Sequence, residues 1–348
     1  MNNWNETLLS LGARHCTGTP DLVRDFGRAP SAAELANGFV ALVTSQGLIA
    51  VSGDDARTFL HSQLTNDIEH LGESEVRLAG YCTPKGRLQA SFHVWRQADS
   101  VFLQLARDIQ APLQKRLSMF VLRAKAKLSD AGAGLVVLGF GGQAAGPALQ
   151  ALFGDLPAAP YSKIAHARGT LLRLADAFGW PRYQWLASPA EALAALPALT
   201  PSLALVGDDA WQLSAIHAGV PQITLKTQEQ FVPQMVNYEL LGAVNFKKGC
   251  YPGQEIVARS QYLGKLKRRT ALASVASAAH AADEVFAVLD PDQPCGMVVN
   301  AAPDGQGGSA VLVEMKLAAM DGEVRLGSAQ GPLLQLLPMP YPLDALDL

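Results

Sequence analysis

The segment FKKGCYPGQEIVAR (246–259) gathers a thiol, cations, an amide and a carboxylate in a chain of which only 17% of residues are charged. Cys250 follows Lys247 and Lys248, whose charges can stabilise a thiolate. The thiolate is the form of cysteine that attacks electrophiles, ligates metals or becomes oxidised. We therefore predict that Cys250 is a reactive thiol and that Lys248 tunes it.

The residues around this cysteine predict a tight turn followed by a helix. Gly249 and Gly253 permit positive φ or a close backbone approach to a ligand, and Pro252 stiffens the turn between them. Gln254 and Glu255 then begin a helix, where their side chains can reach back to cap its first turn.

A purely structural interpretation of the same segment stays open at this stage. In that interpretation Cys250 is a small buried hydrophobe, and Glu255 and Arg259 form an ordinary surface pair one helical turn apart. The two interpretations differ chiefly in the exposure of the thiol, because reactive cysteines are accessible and structural ones are not.

Other catalytic and metal-binding motifs have little support. The cysteines contain no C-x-x-C pair, and no two histidines show the H-x-x-x-H spacing of a helical metal site, so we predict no metal site. No G-x-S-x-G sequence presents a serine nucleophile. Gly139 and Gly141 imitate part of a dinucleotide fingerprint, but a tight turn after a strand explains them more simply.

Composition and charge narrow the class of protein. Hydrophobic residues make up 49% of the 348 residues, which is typical of a packed protein with more than one core. The net charge of -3 provides no broad positive field, so bulk nucleic-acid binding is not expected. The chain begins without a secretory signal pattern and contains no long apolar segment, so we expect a cytoplasmic protein with no membrane partner.

Apolar periodicity predicts the elements that position the cysteine segment. The expected elements are a strand at 47–52 with a helix after it, a hairpin with strands in 76–82 and 87–96, a strand at 101–106 and a helix at 109–120. A separate unit follows from about residue 131, with strands at 135–140 and 170–175 and a helix at 144–153. From about residue 268 short apolar strands recur between turns, which predicts a small barrel or sandwich.

Three stretches of the chain carry a family resemblance: KGCYPGQEIVAR (248–259), GDDARTFLHSQLTNDI (53–68) and IHAGVPQI (216–223). They resemble the YgfZ-type folate-binding proteins, which are relatives of the aminomethyltransferases of the glycine-cleavage system. This resemblance implies an α+β fold of three parts around a central channel that accepts tetrahydrofolate, with a small C-terminal β-barrel.

The resemblance also divides the chain. It implies a discontinuous folate-binding domain in 1–130 and about 205–265, an α+β middle domain in 131–204, and the barrel in 266–348.

The function implied by the resemblance is folate binding in support of iron-sulfur cluster assembly or repair in other enzymes, including tRNA-modifying ones. Iron-sulfur proteins or their assembly factors are then the partners, with Cys250 as the working thiol and Lys248 beside it. The implied folate contacts lie in the same motif. They are Tyr251, Gly253, Gln254, Glu255 and Arg259.

Two departures from the aminomethyltransferases leave open whether the protein is an enzyme. Where those transferases carry paired aspartates this chain has Ala90 and Ser91, and His217 stands where they tend to carry a glutamate. Neither Ala90 nor Ser91 can orient and charge-stabilise a folate amine by ionisation. A tetrahydrofolate-dependent aminomethyl or methyl transferase is therefore the alternative rather than the first hypothesis.

A third possibility is a folate-binding interaction module without chemistry. In it a basic cluster contacts a partner protein or the glutamate tail of the folate. The cluster consists of Lys265, Lys267, Arg268 and Arg269.

Overall fold

The first part of the chain builds a five-stranded sheet and the helices that cover it. The computed structural model describes residues 2–16, 18–262 and 266–343. In chain order the elements of this part are α1 (Asn2–Ser10), β1 (Arg14–Cys16), β2 (Thr19–Asp25), α2 (Ala32–Asn37), β3 (Phe39–Leu42), β4 (Gln46–Ser52), α3 (Ala56–Gln63), β5 (Val76–Cys82), β6 (Leu88–Gln97), β7 (Ser100–Ala106), α4 (Arg107–Ser118) and β8 (Lys127–Asp130).

Within the described ranges, the rest of the chain adds most of a second sheet, four further helices and a barrel. In chain order these elements are β9 (Val136–Gly141), α5 (Ala145–Phe153), β10 (Ser162–His166), β11 (Gly169–Ala177), β12 (Trp180–Ala187), α6 (Pro189–Leu199), β13 (Ala204–Val206), α7 (Asp208–His217), α8 (Gln254–Tyr262), β14 (Arg268–Val275), β15 (Glu284–Ala287), β16 (Gly296–Pro303), β17 (Ser309–Lys316), β18 (Val324–Leu326) and β19 (Leu334–Leu337).

The five-stranded sheet has the order β5-β6-β7-β4-β8, with every neighbouring pair antiparallel. The predicted hairpin, its flanking strands and helix α4 are confirmed. Because side chains alternate along a strand, β6 turns Ala90, Phe92 and Val94 toward α3 and α4, where they are buried in one apolar cluster. Ser91 and His93 belong to the opposite face of β6, toward the centre of the molecule.

The second sheet has the order β10-β11-β12-β9-β3-β13 and draws β3 from the first part of the chain. The predicted strands at 135–140 and 170–175 and the helix at 144–153 are confirmed as β9, β11 and α5. Strands β10 and β12 were not predicted, because in β12 the residues Pro181, Arg182 and Gln184 interrupt the apolar pattern. Trp185 packs under α5 and α6, and Arg182 and Gln184 share the other face of β12.

The C-terminal strands form a nearly closed, antiparallel six-stranded barrel in the order β18-β15-β16-β17-β14-β19. Its interior is apolar and includes Val285, Val298, Val311 and Val313, all fully buried. The expected α+β fold with a small C-terminal barrel is confirmed. None of the helices in the described ranges is long and apolar enough to cross a bilayer.

Residues 218–246, here called the irregular segment, connect α7 to the cysteine motif and contain two short 3-10 helices, Leu225–Thr227 and Pro233–Val236. In a sheet the backbone carbonyl groups would accept hydrogen bonds from a neighbouring strand. Here buried polar side chains donate those hydrogen bonds to the backbone of this segment and of its neighbours. The hydrogen bonds are Thr65 Oγ1 to Ala243 O (2.7 Å), Asn66 Nδ2 to Gly242 O (2.8 Å), Gln234 Nε2 to Val257 O (2.7 Å), Asn237 Nδ2 to Thr270 O (2.8 Å) and Tyr238 OH to Pro221 O (3.0 Å).

Candidate functional site

Residues 247–253, here called the thiol loop, lie against the C-terminal end of α3. Lys248 holds them there, because its ammonium group donates hydrogen bonds to the backbone oxygens of His61 and Leu64, the latter at 2.8 Å. The same ammonium lies 4.9 Å from the centroid of the Tyr251 ring. Cations are favoured at helix C-termini and over aromatic faces, so this contact secures the loop.

Burial lowers the pKa of Lys248 to about 8, and the charges of Asp67 and Cys250 oppose that shift. Lys248 and Cys250 are thus close enough for their charges to interact. The tuning of Cys250 by Lys248 stays a prediction.

Gly253 is required by the packing of the loop. Its φ is +80°, and a Cβ at this position would lie 2.4 Å from the Thr83 carbonyl oxygen and 2.7 Å from Gly86 Cα. The loop therefore meets the hairpin turn between β5 and β6 backbone to backbone. Helix α8 begins immediately afterwards at Gln254, as predicted from the sequence.

Cys250 is exposed, whereas Cys82 and Cys295 are buried and Cys16 is half-buried. The interpretation of Cys250 as a buried hydrophobe is therefore wrong. Glu255 and Arg259 are also exposed. They form no ion pair with each other, and no ion pair of either is found in the described ranges. The motif thus presents its thiol and its charges to solvent.

His61 is a neighbour of the thiol loop that sequence reasoning did not single out. Its Nδ1 accepts a hydrogen bond from the Glu69 N–H at 3.3 Å and lies 3.0 Å from Asp67 Oδ1. Its Nε2 is the atom nearest to a Cβ built on Gly249, at 3.7 Å, so the residue before Cys250 packs on this imidazole.

A large cavity opens elsewhere, between β7, α4, α7 and the irregular segment. This outer chamber has a volume of about 490 Å³, and apolar residues such as Leu22, Ile216 and Val220 line much of it. Ser45, Gln222 and Asn300 add polar atoms to its wall. It is a concave, largely apolar site of the kind that accepts a small molecule.

An inner chamber of about 50 Å³ adjoins the outer one, since Ala215, Val220 and Gln222 line both. Its wall joins the central face of β6, the polar face of β12 and helix α7. The polar side chains that line it are Gln46, Ser91, His93, Gln104, Arg182, Gln184, Gln222 and Tyr238.

Arg182 is the dominant charge of the inner chamber. The residue is only 3% exposed and has no ion pair with any residue that the structure describes, and burial lowers its pKa to about 10, so it remains charged at neutral pH. Its guanidinium lies 4.2 Å from the Trp211 ring centroid and its Nε has no hydrogen-bond partner. Burial, followed by the charge of Arg182, lowers the pKa of His93 to about 4, which keeps that imidazole neutral.

Two acceptors in the same chamber also lack partners. The Oε1 atoms of Gln104 and Gln184 are buried and accept no hydrogen bond. An unpaired buried polar atom costs about 1–3 kcal/mol, so several in one chamber indicate a place for a ligand or ordered water. No carboxylate is among the described residues that line the inner chamber.

The three positions at which the sequence departs from the aminomethyltransferases have different surroundings. Ala90 is buried beneath α3 and α4, while Ser91 lines the inner chamber and its Oγ accepts a hydrogen bond from the Ile223 N–H at 2.8 Å. His217 packs against Phe178, with ring centroids 4.8 Å apart, and does not line either chamber.

The thiol loop and the chambers are separate features. Lys248 and Cys250, and likewise Tyr251, Gly253 and the first residues of α8, are absent from the walls of both chambers. Sequence reasoning found the thiol loop but missed the inner chamber. The available signal was the alternation of Arg182 and Gln184 with aromatic residues along β12, which predicts one polar face.

The two arginines of the basic cluster form ion pairs within the structure. Arg268 pairs with Glu314, and Arg269 pairs with Glu239 in a fully buried contact. Lys267 is exposed, and Lys265 lies outside the described residues. The two arginines are therefore committed to the barrel and the irregular segment.

The fold defines the class of protein. The structure resembles aminomethyltransferase T of the glycine-cleavage system from Bartonella henselae with a TM-score of 0.79, covering 96% of each chain at 16% sequence identity. The molecule therefore has the aminomethyltransferase fold. At this level of identity the likeness concerns architecture alone.

The sequence comparison identifies the family. The chain is 33% identical over 304 residues to the tRNA-modifying protein YgfZ of Edwardsiella ictaluri, covering 85% of this chain and 90% of that protein. It is 32% identical over 225 residues to the protein of the same name from Shigella boydii, covering 64% and 67%. No protein-family model matches. The chain belongs to the YgfZ family of tRNA-modifying proteins.

Proposed function

We propose that this protein binds a tetrahydrofolate in its two chambers and uses Cys250 to support the assembly or repair of iron-sulfur clusters in other enzymes, including tRNA-modifying ones. Its family and its fold support the proposal. We expect it to act in the cytoplasm, where its four unpaired cysteines would stay reduced.

The unpaired polar atoms of the inner chamber are the observation that carries the folate proposal. A pterin ring presents a carbonyl oxygen next to an N–H and an amino group. The Arg182 guanidinium supplies a charged donor for the carbonyl, and Gln104 Oε1 and Gln184 Oε1 supply acceptors for the N–H groups. Binding would satisfy groups that the free protein leaves unpaired.

The outer chamber suits the remainder of the ligand. An aromatic ring joined to the pterin would lie among Leu22, Ile216 and Val220 in the outer chamber. Such burial is worth roughly 25 cal/mol for each Å² of apolar surface. A narrow polar chamber that opens into a wider apolar one has the elongated form of a folate, but the inner chamber, at about 50 Å³, must widen to hold the pterin ring.

Cys250 is proposed as the group that acts on clients. It is exposed and two residues from Lys248 in sequence, so its sulfur is accessible to a sulfur or iron atom of a client protein. The folate contacts proposed by resemblance for Tyr251, Gly253, Gln254, Glu255 and Arg259 would require the ligand to reach the thiol loop as well. These roles stay predictions.

Aminomethyl transfer is the less favoured function. Among the described residues no carboxylate lines the inner chamber, and Ser91 already accepts a hydrogen bond from Ile223. A folate amine held there would lack a group able to orient it by ionisation. Turnover of an aminomethyl donor with tetrahydrofolate would restore this alternative.

Complementation tests the proposed function. In a cell that lacks its own copy of the protein, the wild type should restore the activity of a cluster-dependent tRNA-modifying enzyme, and Cys250→Ala should not. Cys16→Ala, which removes a half-buried thiol on β1, is the matched control and should restore activity fully. Full rescue by Cys250→Ala would remove the thiol from the proposal.

A further inference from the structure

One cation at the outer chamber stays available for a ligand. Arg107 begins α4 and is exposed, and within residues 2–16, 18–262 and 266–343 its guanidinium forms no hydrogen bond or ion pair. Among the described residues that line the outer chamber it is the only positively charged one. A free arginine beside an apolar cavity is an unfilled position for a carboxylate or phosphate.

The carboxylate next to Arg107 keeps its negative charge but forms its hydrogen bond with the irregular segment, not with the guanidinium. Asp108 lines the same chamber, but its Oδ2 accepts a hydrogen bond from the Leu225 N–H at 3.0 Å. This contact ties the start of α4 to the irregular segment. The Asp108 carboxylate therefore stabilises the contact between α4 and the irregular segment. The guanidinium N–H groups of Arg107 stay available to a ligand.

Arg107 also lies at the opening of the chamber. Besides the outer chamber it lines a shallow groove along α4, together with Gln114 and Lys115. A ligand whose buried end occupies the inner chamber would thus bring its other end past Arg107 toward solvent.

We propose that Arg107 binds the glutamate carboxylate of the folate, and so distinguishes glutamylated folates from uncharged analogues. The inference rests on the proposed function, because it takes the pterin to be the buried end. The folate tail would then be recognised at the mouth of the outer chamber. The basic cluster is the less suitable site, because its two arginines already form ion pairs.

The test compares two ligands that differ only in charge. The ligands are tetrahydrofolate and its diamide, in which both glutamate carboxylates are neutral carboxamides. Dissociation constants are measured without oxygen for the wild type, Arg107→Gln and Arg107→Lys. We expect Arg107→Gln to weaken tetrahydrofolate binding about tenfold and diamide binding less than twofold, with Arg107→Lys in between.

The control variant is Lys127→Gln, which removes an exposed cation from β8 that lines neither the outer chamber nor the groove along α4. It should leave both constants unchanged. The wild-type preference for tetrahydrofolate over the diamide should also shrink as salt is raised, since a pair at an open mouth is screened.

The outcomes separate this inference from the proposed function. Equal effects of Arg107→Gln on both ligands, or no effect on either, would overturn the role of Arg107 while leaving folate binding intact. Failure of the wild type to bind either ligand would overturn both.

Discussion

The thiol loop exposes its functional side chain to solvent, whereas the inner chamber buries its polar side chains. In the loop the backbone is tightly held, by Lys248 and by the contact of Gly253 with Gly86, while the Cys250 side chain is exposed. In the chamber, strands, helix α7 and the irregular segment supply the wall, and several polar side chains are buried without enough partners. We expect the exposed thiol to be within reach of a large partner, and the unpaired atoms of the chamber to gain hydrogen bonds from a small one.

From this contrast we infer that the two regions serve different partners. A group meant to meet another protein must be reachable, whereas a group meant to recognise a small ligand gains strength from the low dielectric of a buried site. If the two regions work separately, a change in one should leave the other unaltered.

Alkylation of the thiols should show the largest difference. Exposed Cys250 should react with a maleimide at least about a thousandfold faster than Cys82, because a buried thiol reacts only when the structure opens at a cost of several kcal/mol. Saturating tetrahydrofolate should leave the Cys250 rate unchanged. Rates are followed by mass spectrometry of intact protein. Strong protection of Cys250 by folate would instead join the two regions into one site.

Removing the charge of the inner chamber should separate binding from stability. We expect Arg182→Met to weaken tetrahydrofolate binding about fiftyfold, since it removes a charge-assisted donor. It should leave the melting temperature unchanged or higher, because a buried cation without a carboxylate is replaced by an apolar side chain.

Titration calorimetry and thermal unfolding check this pair of effects. Arg173→Met is the matched control on the neighbouring strand β11, where Arg173 pairs with Asp176, and its folate affinity should equal that of the wild type. Loss of stability with unaltered folate binding would show that Arg182 is structural.

The glycines of the thiol loop should differ sharply. Gly253→Ala should lower the free energy of unfolding by about 2–3 kcal/mol, because φ is positive and the new Cβ would meet the Thr83 carbonyl oxygen. Gly249→Ala should cost less than about 0.5 kcal/mol, since the nearest atom to its Cβ is 3.7 Å away. Denaturant unfolding measures both. Similar values for the two variants would contradict the contact between the loop and the hairpin turn.

The smallest expected effect is the pH dependence set by Lys248. Its folded pKa of about 8 lies below the unfolded value of 10.5, so between these values the unfolded chain binds more protons. Relative to Lys248→Met, the full shift would add about 2 kcal/mol of stability to the wild type between pH 7.5 and 9.5, and screening by solvent at this part-exposed group reduces the expected gain to about 1 kcal/mol. Denaturant unfolding at both pH values tests the sign. A difference that is constant or falls with pH would mean that the ammonium stays charged in the folded loop.

Sequence reasoning predicted the elements whose residues follow one simple pattern. The hairpin of β5 and β6 alternates, α8 begins after a glycine turn, and the C-terminal strands are short apolar runs between turns. Cys250 could also be found, because its charged neighbours are adjacent in sequence.

The inner chamber could not be found in this way. Gln104, Arg182 and Gln184 come from strands of two different sheets, and only the packing of those sheets brings them together. A polar residue on a strand is ordinarily read as facing water. That inference fails where two polar faces meet at a shared internal space.

The hydrogen bonds of the irregular segment have a consequence for the order of folding. Gln234 reaches α8, Asn237 reaches the barrel strand β14, and Thr65 reaches the segment from the turn after α3. These partners come from parts of the chain that must already be in place. The segment should therefore fold after these partners, but it should unfold together with the sheets, because Phe231 and Tyr238 are buried in the same apolar cluster as the sheet residues. Hydrogen exchange at these residues would then report the global unfolding step, so the wall that this segment gives the outer chamber should stay closed as long as the molecule is folded.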